Sequence, residues 1–125
     1  MERELEYLKN YLKLEMAIRM ERSYIRPMTD KDRGIGKTHS LVGLAIEYEL
    51  PIIVSSEINR RYIIELSKRE FNKDISNRVI KLDVGDSLRD IYIKTCLIDE
   101  GLNDIVIGKL LDMGIIVIGY MLTKN

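Results

Sequence analysis

Gly36, Lys37 and Thr38 are consecutive residues whose side chains suit a polyphosphate. A glycine lets backbone N–H groups approach phosphate oxygens, a lysine reaches the outer phosphates, and a threonine hydroxyl offers a ligand to Mg²⁺. Further along, Asp99 and Glu100 close the apolar run Thr95-Cys96-Leu97-Ile98. One carboxylate there can hold a hard cation while its neighbour orients or deprotonates a water. The two stretches therefore hold a cradle, a counter-charge, metal ligands and a base.

The segment from Lys31 to Thr38 reads Lys-Asp-Arg-Gly-Ile-Gly-Lys-Thr, which meets the pattern GxxxxGK[ST] except that Lys31 stands at the first glycine. Leu41, Val42, Leu44, Ala45, Ile46 and Tyr48 follow as a broadly apolar run of about three helical turns. On these residues the chain resembles P-loop NTPases of the additional-strand, catalytic-glutamate class, with Gly36-Lys37-Thr38 matching Walker A and Asp99-Glu100 matching Walker B. The likeness runs over roughly residues 24 to 123.

That resemblance implies an α/β fold: a single P-loop NTPase-like three-layer α/β/α domain with a mainly parallel sheet. It implies ATP and Mg²⁺ as cofactors. Backbone donors of Arg33, Gly34, Ile35, Gly36, Lys37 and Thr38 would hold the β-phosphate with the help of the helix N-terminus. Thr38 and Asp99 would hold Mg²⁺, and the catalytic roles fall to Lys37 on the phosphates and Glu100 on the attacking water. His39, in the first helical turn, either faces the nucleotide or packs. Arg33, Arg60, Arg61 and Arg89 are candidates for stabilising transition-state charge, or are solvated surface charges. The chain looks like the small single-domain ATPases of phages and other mobile elements. It is also similar in order of parts to the first nucleotide-binding domain of helicases, which would put Ser55-Ser56 near nucleic acid and Thr123 near the γ-phosphate. No guanine-reading Asn-Lys-x-Asp occurs, which favours ATP.

The elements that must position these groups follow from composition and period. Residues 2–22 lack Gly and Pro and are rich in Glu, Lys, Arg, Leu and Met, so they read as one long helix, with residues 23–125 as the nucleotide-binding domain. Leu5, Leu8, Leu12 and Met16 form one stripe, and Tyr7, Tyr11, Leu14 and Ile18 a second beside it. Such a wide apolar arc suits packing on the domain's own sheet, or a homo-oligomer or protein partner contact through the helix. Tyr24, Ile25 and Met28 should form the strand before the loop, central in this fold, yet Pro27 predicts a truncated or irregular one. Ile52-Ile53-Val54 is a buried-type strand, and Ser56 caps the next helix or lines the ligand edge. In that helix Ile58, Tyr62, Leu66 and Ile63 are expected inward. Arg78 to Leu82 is a further strand, and Asp83 to Asp90 reads as a solvated loop ahead of a metal cage. Leu102 to Met113 reads as a helix ended by Gly114, and Ile115 to Met121 as the last strand. About five strands alternating with helices argue a parallel sheet covered on both faces.

At 125 residues the chain is sized for one domain. Twenty basic residues balance twenty acidic ones, so net charge gives no support to a nucleic-acid partner or an anionic membrane surface. No apolar stretch is long enough for a membrane span, and the lone Cys96, inside an apolar run, reads as a core residue in a reducing cytoplasm. The expectation is a soluble ATP-binding protein, a Mg²⁺-dependent ATPase needing an oligomer or partner for full activity. The alternative is a nucleotide-gated or nucleotide-independent interaction module.

Overall fold

The computed structural model describes residues 2–29 and 36–123. Short β-branched runs alternate with longer helix-forming segments, and each takes the expected element. In chain order these are α1 (Glu2–Arg19), β1 (Tyr24–Met28), α2 (Lys37–Tyr48), β2 (Ile52–Val54), α3 (Glu57–Phe71), β3 (Val79–Lys81), β4 (Thr95–Ile98), α4 (Asp104–Asp112) and β5 (Ile116–Leu122). All four strand pairings are parallel, and the sheet order is β1-β5-β4-β2-β3.

Strand period distributes the core between two faces. Ile52, Val54, Leu97, Ile118 and Tyr120 join the cluster under α1, α2 and α3, while Ile53, Cys96, Ile98 and Val117 join the cluster with α4. Strands buried on both faces must be apolar at every position, which is why β2, β4 and β5 read as continuous runs. Gly119 sits where β5 passes β4: a Cβ there would collide with the backbone carbonyl of Ile98, and its φ of 153° lies where side chains are strained. That contact fixes the spacing of the two strands whose ends meet the candidate site.

Three expectations change. β1 is a regular five-residue strand, and it lies at the sheet edge instead of the centre. The edge explains Pro27, since one side of the ladder is open and a missing N–H costs little there. In α3 the inward residues are Ile63, Ile64, Leu66 and Ser67, whereas Ile58 is 80% and Tyr62 52% exposed. Polar side chains share that inward face because each finds a backbone acceptor: Arg60 donates to the carbonyls of Val79 and Ser76, and Ser67 to that of Lys73. The N-terminal helix stops at Arg19, and Glu21 turns the chain with a φ of 52°.

α1 buries the stripe containing Tyr7, Tyr11, Leu14 and Ile18, together with Asn10 and Ala17. Asn10 is nearly inaccessible; its Nδ2 donates to the hydroxyl of Tyr120, and its Oδ1 accepts from Arg26 at 3.0 Å. Tyr11 donates to Glu47, and Tyr48 links Glu15 to Arg19. These polar contacts fix the rotation of α1 about its axis.

Candidate functional site at the carboxyl edge of the sheet

In an open parallel sheet, the helix N-termini and strand carboxyl ends gather on one edge, and ligands bind there. Gly36 stands just before α2 with φ 74°, a left-handed conformation that glycine adopts at no steric cost, and it brings no side-chain acceptor to the first-turn N–H groups. Lys37 opens the helix and is buried, 8% exposed. Its ammonium reaches the end of β4, where Nζ lies 2.6 Å from Oε2 of Glu100. Thr38, half-buried, follows in the same turn.

Glu100 is held by its own peptide. Its N–H donates to Oδ1 of Asp99 at 2.9 Å, and its carbonyl accepts from the N–H of Leu122 in β5 at 3.1 Å. Asp99 itself is half-buried at the edge. Burial pushes its carboxyl above the ordinary aspartate value; the Glu100 charge adds to the shift, and the Glu100 N–H and Lys37 ammonium oppose it without reversing it. The half-buried Asp99 carboxyl, with the Lys37 ammonium already paired to Glu100, is an oxygen donor of the kind a hard cation takes. Among the described residues no three His, Cys, Asp or Glu side chains gather as a metal cage. Mg²⁺ does not need one, since it commonly takes one or two protein ligands and fills the rest with water and substrate phosphates.

Beside Glu100, toward the start of α4, a crevice of about 540 Å³ opens, bounded by Leu102, Asn103, Ile105, Leu122 and Thr123 among others; Gly36, Lys37, Thr38 and Asp99 do not line it. This volume falls in the range of small-molecule sites. A second recess, about 480 Å³, lies among Ser87, Leu88, Arg89, Lys109 and Met113 away from Lys37, and its lysine is already used by the carbonyl of Val84.

The remaining candidates are placed as follows. Arg33, Gly34 and Ile35 lie outside the described residues, as does Lys31. His39 shares a hydrogen bond with the Tyr7 hydroxyl through Nδ1 at 2.9 Å and packs on Phe71 with ring centroids 4.7 Å apart. Ser56 caps α3 by accepting from the Asn59 N–H, while the Ser55 hydroxyl lies close to Gly101, just past Glu100. Thr123 donates its hydroxyl to the Met28 carbonyl, tying the end of β5 to the end of β1. Arg60 braces β3, Arg61 pairs with Glu57 on the surface, and Arg89 is exposed. Cys96 is fully buried with its thiol pushed up to about 12, a packed core group and no nucleophile at neutral pH. Asp83 and Asp86 in the following loop satisfy each other's turn, Asp86 accepting from the Asp83 N–H.

Tyr7 is the residue that motif reading misses. Its ring lies so close to Gly36 that a Cβ there would enter it, so α1 touches the start of α2. The available signal was Tyr7 and Tyr11 on the inward stripe of α1, one turn apart, although nothing in their spacing names their target.

No helix among the described residues is long and apolar enough to cross a membrane. Compared with known proteins, the chain matches no protein-family profile, no curated protein and no solved structure.

Proposed function

We propose that the protein binds a nucleoside triphosphate at the N-terminus of α2, with ATP favoured, and hydrolyses it with Mg²⁺, reaching full activity as part of an oligomer or with a partner. One observation carries this reading: the 2.6 Å contact between Lys37 and Glu100, residues 63 apart in sequence. It brings the phosphate-type lysine and the acid pair to one point on the ligand-binding edge. The sheet order adds support, because β5 lies between β1 and β4, which is the inserted strand that the additional-strand class is named for. Asp99, half-buried and bonded to the Glu100 N–H, is consistent with it.

Lys37 and Glu100 neutralise each other in this arrangement. A triphosphate offers Lys37 a stronger anion, so the ammonium turns from carboxylate to phosphate and Glu100 is released. The freed carboxylate, anchored through its peptide to Asp99 and Leu122, then orients a water and takes its proton. Mg²⁺, held by Thr38 and Asp99, would supply charge neutralisation between the phosphates. The α2 amides would bind the phosphate chain once the Tyr7 ring, which covers Gly36, swings aside.

Turnover of ATP with Mg²⁺ tests the assignment. Glu100→Gln should retain binding and lose about 10²–10⁴-fold in rate, the usual contribution of a general base. Lys37→Ala should lose measurable turnover. Equal turnover in wild type and Glu100→Gln, or none in wild type under any oligomeric condition, would reject the hydrolase.

A further inference from the structure

The outer face of α1 is apolar and unused by the fold. Leu5, Leu8, Leu12, Met16 and Met20 are each between 49% and 61% exposed, although the opposite face of the same helix packs on the core through buried Asn10, Leu14 and Ala17. Single exposed apolar residues are ordinary, but a continuous stripe along a helix marks an interaction surface. Rotation of α1 cannot hide it, because Asn10, Tyr11 and Tyr48 hold the helix by hydrogen bonds. The neighbouring edge strand β1 is a poor alternative contact, since exposed Pro27 blunts its ladder.

We infer that this face binds a second copy of the chain, with two α1 helices packed antiparallel about a two-fold axis at Leu12. Three observations select this occupant. First, the stripe is self-complementary in that direction: Leu12 faces Leu12, Leu8 faces Met16, and Leu5 comes level with residue 19, next to the end of the stripe at Met20. Second, the charges discriminate direction. Exposed Glu4 stands at the N-terminal end of the stripe and exposed Arg22 just past its C-terminal end, so a parallel pair would set like charges together. The antiparallel pair instead brings Glu4 of one copy level with Met20 of the other, close to Arg22. Arg19 is turned to Tyr48, and Glu15 and Glu21 are occupied by Tyr48 and Lys94. Third, an open recess of about 190 Å³ among Met16, Ala17, Met20 and Tyr24, with Lys13 and Arg22 at its rim, lies at the C-terminal end of the stripe. An antiparallel copy brings Leu5, with Glu4 beside it, to that recess. The helix is long enough to give a continuous seam, its 18 residues spanning about 27 Å. This inference stands independently of nucleotide binding.

Sedimentation of the full chain and disulfide trapping test it together. Wild type should sediment as a dimer at about 100 µM, because dimers form by mass action. Leu12→Glu should sediment as a monomer with unchanged circular dichroism and melting temperature, since residue 12 is outside the core. Leu12→Cys should form a disulfide dimer on oxidation, and a mixture of Leu8→Cys with Met16→Cys should cross-link as a heterodimer, while Leu8→Cys alone does not. Buried Cys96 leaves the trapping unambiguous. A monomeric wild type, which would leave the stripe to a different protein, overturns the inference. So does a dimer that survives Leu12→Glu, or self-linking of Leu8→Cys, which would mean a parallel pair.

Discussion

At Asp99 two tendencies oppose each other. Removal from water favours the neutral acid, while the Glu100 N–H and the Lys37 ammonium favour the carboxylate, and burial prevails. The native chain therefore holds this proton more tightly than the unfolded chain does. Between the ordinary aspartate value near pH 4 and the raised native value, stability falls as pH rises, and the full penalty persists above that window. Asp99→Asn keeps an oxygen for the Glu100 N–H and removes the charge. Urea unfolding should find it more stable than wild type at about pH 7, with the gap closing toward about pH 4. A gap that is constant with pH, or a less stable variant at neutral pH, would show that the carboxylate bears no burial penalty. Such a cost is tolerated where a group serves binding rather than folding. Gly36, Lys37, Thr38 and the paired acids could be singled out as candidates because each has a distinct chemistry, and of these Lys37 and Glu100 meet. Tyr7 could not, because an aromatic on a helix stripe names neither its neighbour nor its role.

At the scale of elements, α1 is coupled to the start of α2 through Tyr7, which covers Gly36 and bonds His39. Its middle and C-terminal half are held separately by Asn10, Leu14 and the Tyr48 network. Tyr7→Ala should then loosen only the N-terminal turns. In hydrogen exchange, amides before Asn10 are expected to exchange tenfold or more faster, an opening made easier by about 1.4 kcal/mol or more, while those from Leu14 to Arg19 stay protected. Uniform acceleration along α1 would mean the helix opens as one unit and Tyr7 has no local hold. Element type was readable from period and breakers: Ser56 caps α3, Asn103 caps α4, and Gly114 follows its end with a positive φ. Orientation was less so. Counting apolar residues placed Ile58 and Tyr62 inward on α3, but the tertiary carbonyls that receive Arg60 and Ser67 lie in distant segments that local sequence does not reveal.

Across the whole molecule, sheet order does what no single element can: it sets the ends of β1, β5 and β4 side by side, so that Lys37 and Glu100 meet. Parallel strands with helices on both faces followed from the alternation of runs. The order of strands did not, since an apolar run says that it is buried without saying between which neighbours. Pro27 was read as the mark of a truncated or irregular central strand; the strand is instead regular and lies at an edge, where a missing N–H costs little. Calorimetric titration of Mg²⁺-ATP into wild type, Lys37→Ala and Glu100→Gln is the most direct test of the central claim that Lys37 exchanges Glu100 for phosphate. The expected result is binding by wild type, weakening of about tenfold to a hundredfold in Lys37→Ala, and tighter binding by Glu100→Gln, which frees the ammonium from its resting partner. Absence of binding by wild type, or equal affinity in Lys37→Ala, would contradict it.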